Sequence, residues 1–253
     1  MPTWQNLVTM NRLSKIGIMG AEKRWSKYNL EIQNFLSNNK LIENYPKELS
    51  ALCGFLAGDG SFDKRYTHYE IKFFPDDKKV AILFEKIFQK LYNKKLKIRK
   101  QIQHFGNCYV LRIKYKKAYM HLKSLTTFGR MSWRIPDFVL NNDELKIEWL
   151  KAFFDCEGYV NPNGKVIQLQ SVNEIGLKQV KNILESLEIT SKIYTYERKN
   201  KNWNTNFILN ITGENMEKFH NLIGFNHSKK IKRLKKVIAK RWVSQVRFKA
   251  VEN

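Results

Sequence analysis

Two short stretches of this chain carry an acid where a helix should end. LCGFLAGDGSF (Leu52–Phe62) and LKAFFDCEGYV (Leu150–Val160) each repeat apolar residues at spacings of three and four, then close on an acid followed by glycine: Asp59-Gly60 and Glu157-Gly158. A carboxylate in the last turn faces the negative end of the helix dipole, unfavourable by up to about 1 kcal/mol. One such acid would pass for a turn cap or the partner of a nearby lysine. Two matched ends in one chain point to a shared cation. If the helices meet, two carboxylates crowd between two negative helix ends, which is tolerable only if one acid protonates or a hard cation binds. Carboxylates and backbone carbonyls are Mg2+ ligands, and phosphate oxygens with water could complete the octahedra. The chemistry of such a site is in-line phosphodiester hydrolysis by metal-activated water.

The elements that must position these acids are legible around them. Gly54 and Gly58 stand four apart in the first helix, and Ala152 and Cys156 hold the same places in the second. Interior glycine costs a helix about 1 kcal/mol against alanine, so the glycines predict close contact with the partner helix. Gly60 and Gly158 suit the left-handed position that ends a helix. After Gly60 come two strand-like runs, SFDKRY and HYEIKFF, then the amphipathic DDKKVAILFEKIFQKLYN. KLKIRKQIQHF and CYVLRIKYKK follow, with a turn expected at Gly106-Asn107, and a short helix from about Ala118 to Leu125. The order recurs after Gly158: a turn at Asn163-Gly164, the strand KVIQLQSV, a helix capped by Asn173, the strands KIYTYERK and FILNIT, and a helix from about Glu214. The chain is therefore a duplicated helix, two strands, helix, two strands, helix. That is an α+β fold with antiparallel hairpins. Its segments are a basic, helix-prone extension over 1–45, broken at Gly17 and Gly20, a first repeat over 46–140 and a second over 141–253. The second ends in the basic amphipathic SKKIKRLKKVIAKRWVSQVRFK, where Leu234, Val237, Ile238 and Trp242 form the docking side.

Charge names the partner. The 253 residues hold 46 Lys and Arg against 23 Asp and Glu, a net charge of +23. Such an excess repels itself in the folded state and is usually kept for a polyanion. No run of about 18 apolar residues exists and the first 28 residues hold no signal-like apolar stretch, which favours nucleic acid over a membrane and an intracellular, unsecreted protein. Cys53, Cys108 and Cys156 make no paired metal pattern and the five His residues no zinc-like cluster. Alternation in the strands supplies a polar face. Lys97, Arg99, Gln101 and Gln103 oppose Leu96, Ile98 and Ile102, and Arg112, Lys114 and Lys116 oppose Leu111, Ile113 and Tyr115. In the second repeat Gln168 and Gln170 alternate with Ile167 and Leu169, while Tyr194, Tyr196 and Arg198 share a face, and Asn204, Asn206 and Asn210 add amides. Arginine reads guanine, and Gln or Asn reads adenine, through paired major-groove bonds.

With these residues in place, the chain resembles the LAGLIDADG homing endonucleases, in the single-chain, two-motif form. The first motif stands as LCGFLAGDG and the second as LKAFFDCEG, 98 residues apart, and the resemblance covers roughly residues 46 to 240. It implies a pseudo-two-fold αββαββα saddle with a central two-helix interface and two antiparallel sheets in the DNA major groove. It implies Asp59 and Glu157 as the metal-binding pair, with Gly58 and Cys156 beside them as backbone ligands. Mg2+ is the implied cofactor, with Mn2+ or Ca2+ substituting for binding. It further implies a monomer cutting both strands of a long asymmetric double-stranded site and leaving short 3′ overhangs. The family also places a basic residue near each metal site. In the second repeat IGFNHSKKIKRL offers Lys230 first and Lys232 second. In the first, FGRMSWRIPDF offers Arg134, or Arg130 further back, where relatives often have lysine. Arginine is the poorer proton shuttle. Some members carry a polar residue at the end of the second strand. Here that end is Phe73-Phe74-Pro75 in the first repeat but Gln170-Ser171 in the second, which leaves Gln170 to position water and predicts unequal cutting by the two halves.

The competing expectations are a non-cleaving DNA-binding regulator or an RNA-binding intron maturase of the same fold, and a basic ribosome-associated protein, which the duplicated acid-Gly ends disfavour. Intron RNA is an additional expected partner. An intein origin is not expected, since the chain starts Met1-Pro2-Thr3 and lacks a terminal His-Asn.

Overall fold

The computed structural model describes residues 26–66, 68–103, 106–161, 163, 165–196 and 204–249. Two compact units divide after Lys40. In the first, α1 is helical over 26–37; the break expected at Gly17 and Gly20 lies outside the described residues. The second unit opens with α2 (Leu41–Asn44) and then repeats one layout twice. The first copy runs α3 (Pro46–Asp59), β1 (Gly60–Arg65), β2 (His68–Phe73), α4 (Lys78–Tyr92), β3 (Ile98–Gln103), β4 (Gly106–Ile113) and α5 (Lys116–Leu125). After α6 (Asp137–Leu140) the second runs α7 (Asp143–Glu157), β5 (Tyr159–Asn161), β6 (Val166–Ser171), α8 (Glu174–Ser186), β7 (Lys192–Tyr196), β8 (Asn206–Thr212) and α9 (Asn215–Leu222). The basic α10 (Ser228–Lys249) follows, with Leu234 and Val237 buried and Ile238 half-buried. The side chain of Trp242 lies outside the described residues.

Each copy builds a four-stranded antiparallel sheet in matching order, β1-β2-β4-β3 and β5-β6-β8-β7. Period-two alternation gives each sheet one apolar face. In the first, Ile71, Phe73, Leu111 and Ile113 are buried; in the second, Val160, Ile167, Leu169, Leu209 and Ile211 are. Phe73 stacks on Phe84 of α4 at 4.2 Å between ring centres and meets Phe55 of α3 at 5.6 Å. A shared aromatic core therefore ties the first sheet to the first motif helix. The side-chain-capped helix starts also match. Asp77 accepts the Lys79 and Val80 amides at the head of α4, and Asn173 accepts the Gly176 amide at the head of α8.

Helices α3 and α7 pack against each other at the spacing the glycines predict. A Cβ added at Gly54 would fall 2.4 Å from the Trp149 carbonyl oxygen, and one at Gly58 would fall 2.4 Å from Cys156 Cβ. At the opposite end of the pair Ser50 Oγ donates to Leu145 O at 2.7 Å.

Three local expectations are corrected, and a fourth position, Ile102, faces as expected but is exposed. Gly60 and Gly158 are not left-handed: both are extended, at φ −90° and −71°. They are glycines because the chain folds straight back over the helix end. A Cβ would sit 2.2 Å from the Leu56 carbonyl oxygen at Gly60 and 2.6 Å from that of Phe154 at Gly158. Gly106 and Asn107 are strand residues paired with Gln103 and Ile102, so they do not form the turn. Lys116 opens α5 instead of extending β4, and its ammonium sits 4.9 Å over the Tyr69 ring. Ile102 lies on the apolar side by register yet is 82% exposed, because neither it nor Lys100 next along that face is covered by a helix.

Candidate metal centre and nucleic-acid interface

The contact of Gly58 with Cys156 brings the two helix ends together, and with them Asp59 and Glu157. The added Cβ at Gly58 would lie 3.5 Å from Glu157 Cγ. Asp59 is half-buried, and loss of solvent raises its carboxyl to about 6 against the opposing pull of a Cys156 thiol bond and the charge of Lys230. Glu157 is open, but into a confined cleft rather than bulk water. Desolvation and then the Asp59 charge push it up to about 7. Two desolvated acids at negative helix ends, one of them raised further by the charge of the other, are what a divalent cation would relieve. Among the described residues no cluster of three or more His, Cys, Asp or Glu side chains is poised to chelate an ion. The protein thus offers two carboxylates and backbone oxygens and leaves most of a coordination sphere to water and substrate. That donor set fits Mg2+ better than zinc.

The positive partner of the helix ends is Lys230. It is buried, and its Nζ donates to the carbonyls of Phe154, Asp155 and Cys156 at 3.1, 2.6 and 2.9 Å, capping α7. Burial lowers its pKa. The Cys156 carbonyl expected as a metal ligand therefore already accepts one bond, leaving one lone pair. Lys232 is exposed.

Lys230 is held by residues no sequence pattern singled out. Asp155, buried, accepts from Asn226 N at 2.8 Å, Asn226 Nδ2 at 2.9 Å and His227 N at 2.9 Å, fixing the chain that enters α10. His227 Nε2 bonds Asp76 Oδ1 at 2.8 Å, and Ser228 N donates to Asp77 Oδ2 at 3.2 Å. The tail of the second repeat is thus latched to the cap of α4 in the first. The reverse latch exists too. Arg134 Nη1 donates to Asn173, the cap of α8, at 3.1 Å and to Trp133 O at 2.9 Å. Trp133 stacks into α7 against Phe153, 4.7 Å between ring centres, and a Cβ at Gly176 would touch its ring at 2.6 Å.

This strut takes Arg134 out of the cleft and puts Arg130 in it. A cleft of about 420 Å³ is lined by Gly58, Gly129, Arg130, Glu157, Gln170 and Asn206, among others. Arg130 rides a turn closed by Ser132 N and Trp133 N on Gly129 O, both at 3.0 Å, with Gly129 at φ +139°. Lys230 of the second repeat is accordingly the cation that acts on both acids, and Arg130 of the first repeat shares the cleft with Glu157. Gln170 stands beside Glu157, whereas its register equivalent in the first sheet is Phe74, which donates its amide to Asp59 O at 3.2 Å.

Away from the helices each sheet presents a polar face. Register puts Arg99, Gln101 and Arg112 together on the first, and Gln168, Gln170, Tyr194, Tyr196, Asn206 and Asn210 together on the second. Gln168 Nε2 bonds Asn210 Oδ1 at 3.0 Å. Lys97 and Lys114 flank the strands and are exposed; Asn204 lies ahead of β8 with its Nδ2 3.8 Å from the Met131 sulfur. The Gln103 side chain and Arg198 lie outside the described residues. The hairpin β1–β2 adds Asp63, Arg65, Glu70 and Lys72 to the first face. The alternation in SFDKRY and HYEIKFF carried that signal.

Comparison with known proteins agrees with this architecture. Residues 144–224 match the LAGLIDADG-like domain. The chain is 26% identical over 247 residues to a glutamine–fructose-6-phosphate aminotransferase of Methanocaldococcus jannaschii, covering 92% of this chain and 22% of that protein. It is 28% identical over 225 residues to the replication factor C small subunit of the same organism, covering 86% and 12%. It therefore spans less than a quarter of the length of either relative. Among solved structures, I-DmoI in complex with DNA and Mn is matched over 70% of this chain and 97% of that one, with TM-score 0.53 and 21% identity. WhiA from Thermotoga maritima is matched over 88% and 72%, with TM-score 0.53 and 17% identity.

Proposed function

We propose that this chain, whose residues 144–224 match the LAGLIDADG-like domain and whose fold matches I-DmoI, belongs to the LAGLIDADG family and is a site-specific, divalent-metal-dependent endonuclease that cuts both strands of a long, asymmetric DNA site and leaves short 3′ overhangs. The observation that carries this reading is the convergence of Asp59 and Glu157 where Gly58 meets Cys156. Mg2+, when bound, would polarise the scissile phosphate and make its water acidic enough to attack.

The chain's own groups do the rest. Asp59 and Glu157 would hold the ion as carboxylates, with backbone oxygens at the two helix ends as further candidate ligands. Lys230 neutralises the end of α7 and keeps Asp59 ionised. Arg130, always charged, sits where it can bind a phosphate oxygen in the Glu157 cleft, and Gln170 can orient a water there. Arg130 and Gln170 line the cleft with Glu157 and have no such placement beside Asp59, so the two strands would be cut at unequal rates. The sheets' polar faces position the duplex, and the basic α10 adds phosphate contacts.

A role in spreading its own coding DNA is supported by the relatives: a module of this length recurs inside proteins with unrelated names. The WhiA likeness extends the fold beyond proteins titled homing endonucleases, which is why a non-cleaving regulator or maturase is the second reading; the two intact acids favour cleavage. The test is a plasmid carrying the joined DNA that flanks the protein's own reading frame. With Mg2+ the protein should linearise it, EDTA should stop cutting but leave binding, and Asp59→Asn or Glu157→Gln should abolish double-strand cleavage. Tight binding with no cutting in any divalent metal would leave only the second reading.

A further inference from the structure

The two polar faces are equivalent in register but different in chemistry. Gly60 lies opposite Phe73, and Tyr159 opposite Gln168, so Ser61 corresponds to Tyr159 and Lys72 to Gln168. Carried across the central strands, Arg112 corresponds to Asn210. At the outer strands Arg99 corresponds to Tyr194 and Gln101 to Tyr196. At three of these positions, those of Lys72, Arg112 and Arg99, the second sheet carries an amide or an aromatic ring in place of a cation, while exposed Lys192, opposite Asn210, keeps one cation on the second face.

The acids follow the same division. Glu70 and Asp63 lie on the first face, paired to Lys72 at 3.0 Å and to Arg65 at 3.5 Å. Their counterparts on the second face are Val166 and Asn161. Arg99 and Arg112 are exposed, with no ion-pair partner among the described residues. On the second face Tyr159, Tyr194 and Tyr196 are 47%, 51% and 57% exposed, and half-buried Ile208 lies between them opposite Tyr194.

Major-groove chemistry assigns these sets to different base pairs. Arg and Lys bond guanine O6 and N7, and a carboxylate accepts from cytosine N4, so a face of adjoining cations and acids matches both strands of G·C pairs. Amides bond adenine N6 and N7, and apolar surface meets the thymine methyl, so a face of amides, rings and isoleucine matches A·T pairs. We propose that the first sheet reads a G·C-rich half-site and the second an A·T-rich half-site. This rests on the endonuclease reading, since it takes both sheets as lying in the major groove of one duplex.

Selection from duplexes randomised over about two helical turns, ~21 base pairs, with the full chain and Ca2+ to permit binding without cutting, tests it. The enriched site should have one G·C-rich and one A·T-rich half. Arg112→Gln should relax a guanine preference about tenfold at one position of the G·C half alone. Gln168→Arg should gain guanine in the other half alone. An enriched site with equally composed halves, or an Arg112→Gln change felt in the A·T half, overturns the inference while leaving site-specific binding intact. No enrichment at all overturns the inference and the endonuclease reading together.

Discussion

Gly58→Ala probes whether helix contact places the acids. The new Cβ would lie 2.4 Å from Cys156 Cβ, whereas non-bonded carbons settle at about 3.5 Å or more. The helix ends must part by about 1 Å. Alanine gains about 1 kcal/mol of helix propensity over glycine, and overpacking of this kind costs about 1–3 kcal/mol. The net loss is therefore about 1 kcal/mol, or ~3 °C in Tm for a chain of this size. Function should suffer far more. A shift of about 1 Å in a reacting group can lower the rate ~100-fold, and Asp59 and Glu157 are the residues that follow Gly58 and Cys156. DNA affinity, set by the sheets, should hardly change. Single-turnover plasmid cleavage, DNA binding in Ca2+ and a thermal melt separate the three quantities. An unchanged cleavage rate would refute the claim that close packing here sets the distance between the acids.

Three further outcomes follow from the site. Lys230→Met leaves three carbonyls of α7 without their donor; it should lower stability by about 2 kcal/mol and move the acid limb of the cleavage pH profile upward, because Asp59 loses a cation that favours its ionised form. An unmoved limb would separate Lys230 from Asp59. The folded-state carboxyls of Asp59 and Glu157 are raised to about 6 and about 7. Between about pH 4 and 7 the native state then holds more protons than the unfolded chain, so their contribution to stability falls as pH rises through that window. The Tm gain on adding Mg2+ should accordingly be larger at pH 8 than at pH 5, and should vanish at both in the double variant Asp59→Asn, Glu157→Gln; a gain independent of pH would count against the pair as ligands. Finally, DNA binding should weaken steeply with salt, with a log-log slope of about −0.9 per phosphate neutralised, and a flat response would contradict a charge-driven interface.

What could be seen in the chain beforehand was whatever repeats locally. The motif helices, the order of strands and the contact of Gly54 and Gly58 with α7 follow from spacing, because small residues at one helical period have few other uses. The reason for Gly60 and Gly158 did not follow. A glycine after a helix usually signals a positive φ, and only the three-dimensional path shows a chain doubling back on Leu56 and Phe154. Asp155 was invisible for another reason. It sits mid-motif as one more polar residue, and its three donors lie 71 and 72 residues away. The choice between Arg130 and Arg134 turned on Trp133, whose ring anchors the turn that sends one arginine to the cleft and the other to the cap of α8.

The latch between Asp76 and His227 has a consequence in time. The two residues are 151 apart in the chain, and ribosomes add about 5–20 residues per second. The first acid-tipped helix is therefore made on the order of ten seconds before the segment that carries Lys230 leaves the ribosome. Until then Asp59 lacks its neighbouring cation, although Glu157 has already been made, and the end of α7 lacks its cap. On the endonuclease reading, a host cell would be spared half-built nuclease, because the capacity to break DNA would arrive only once α10 is in place.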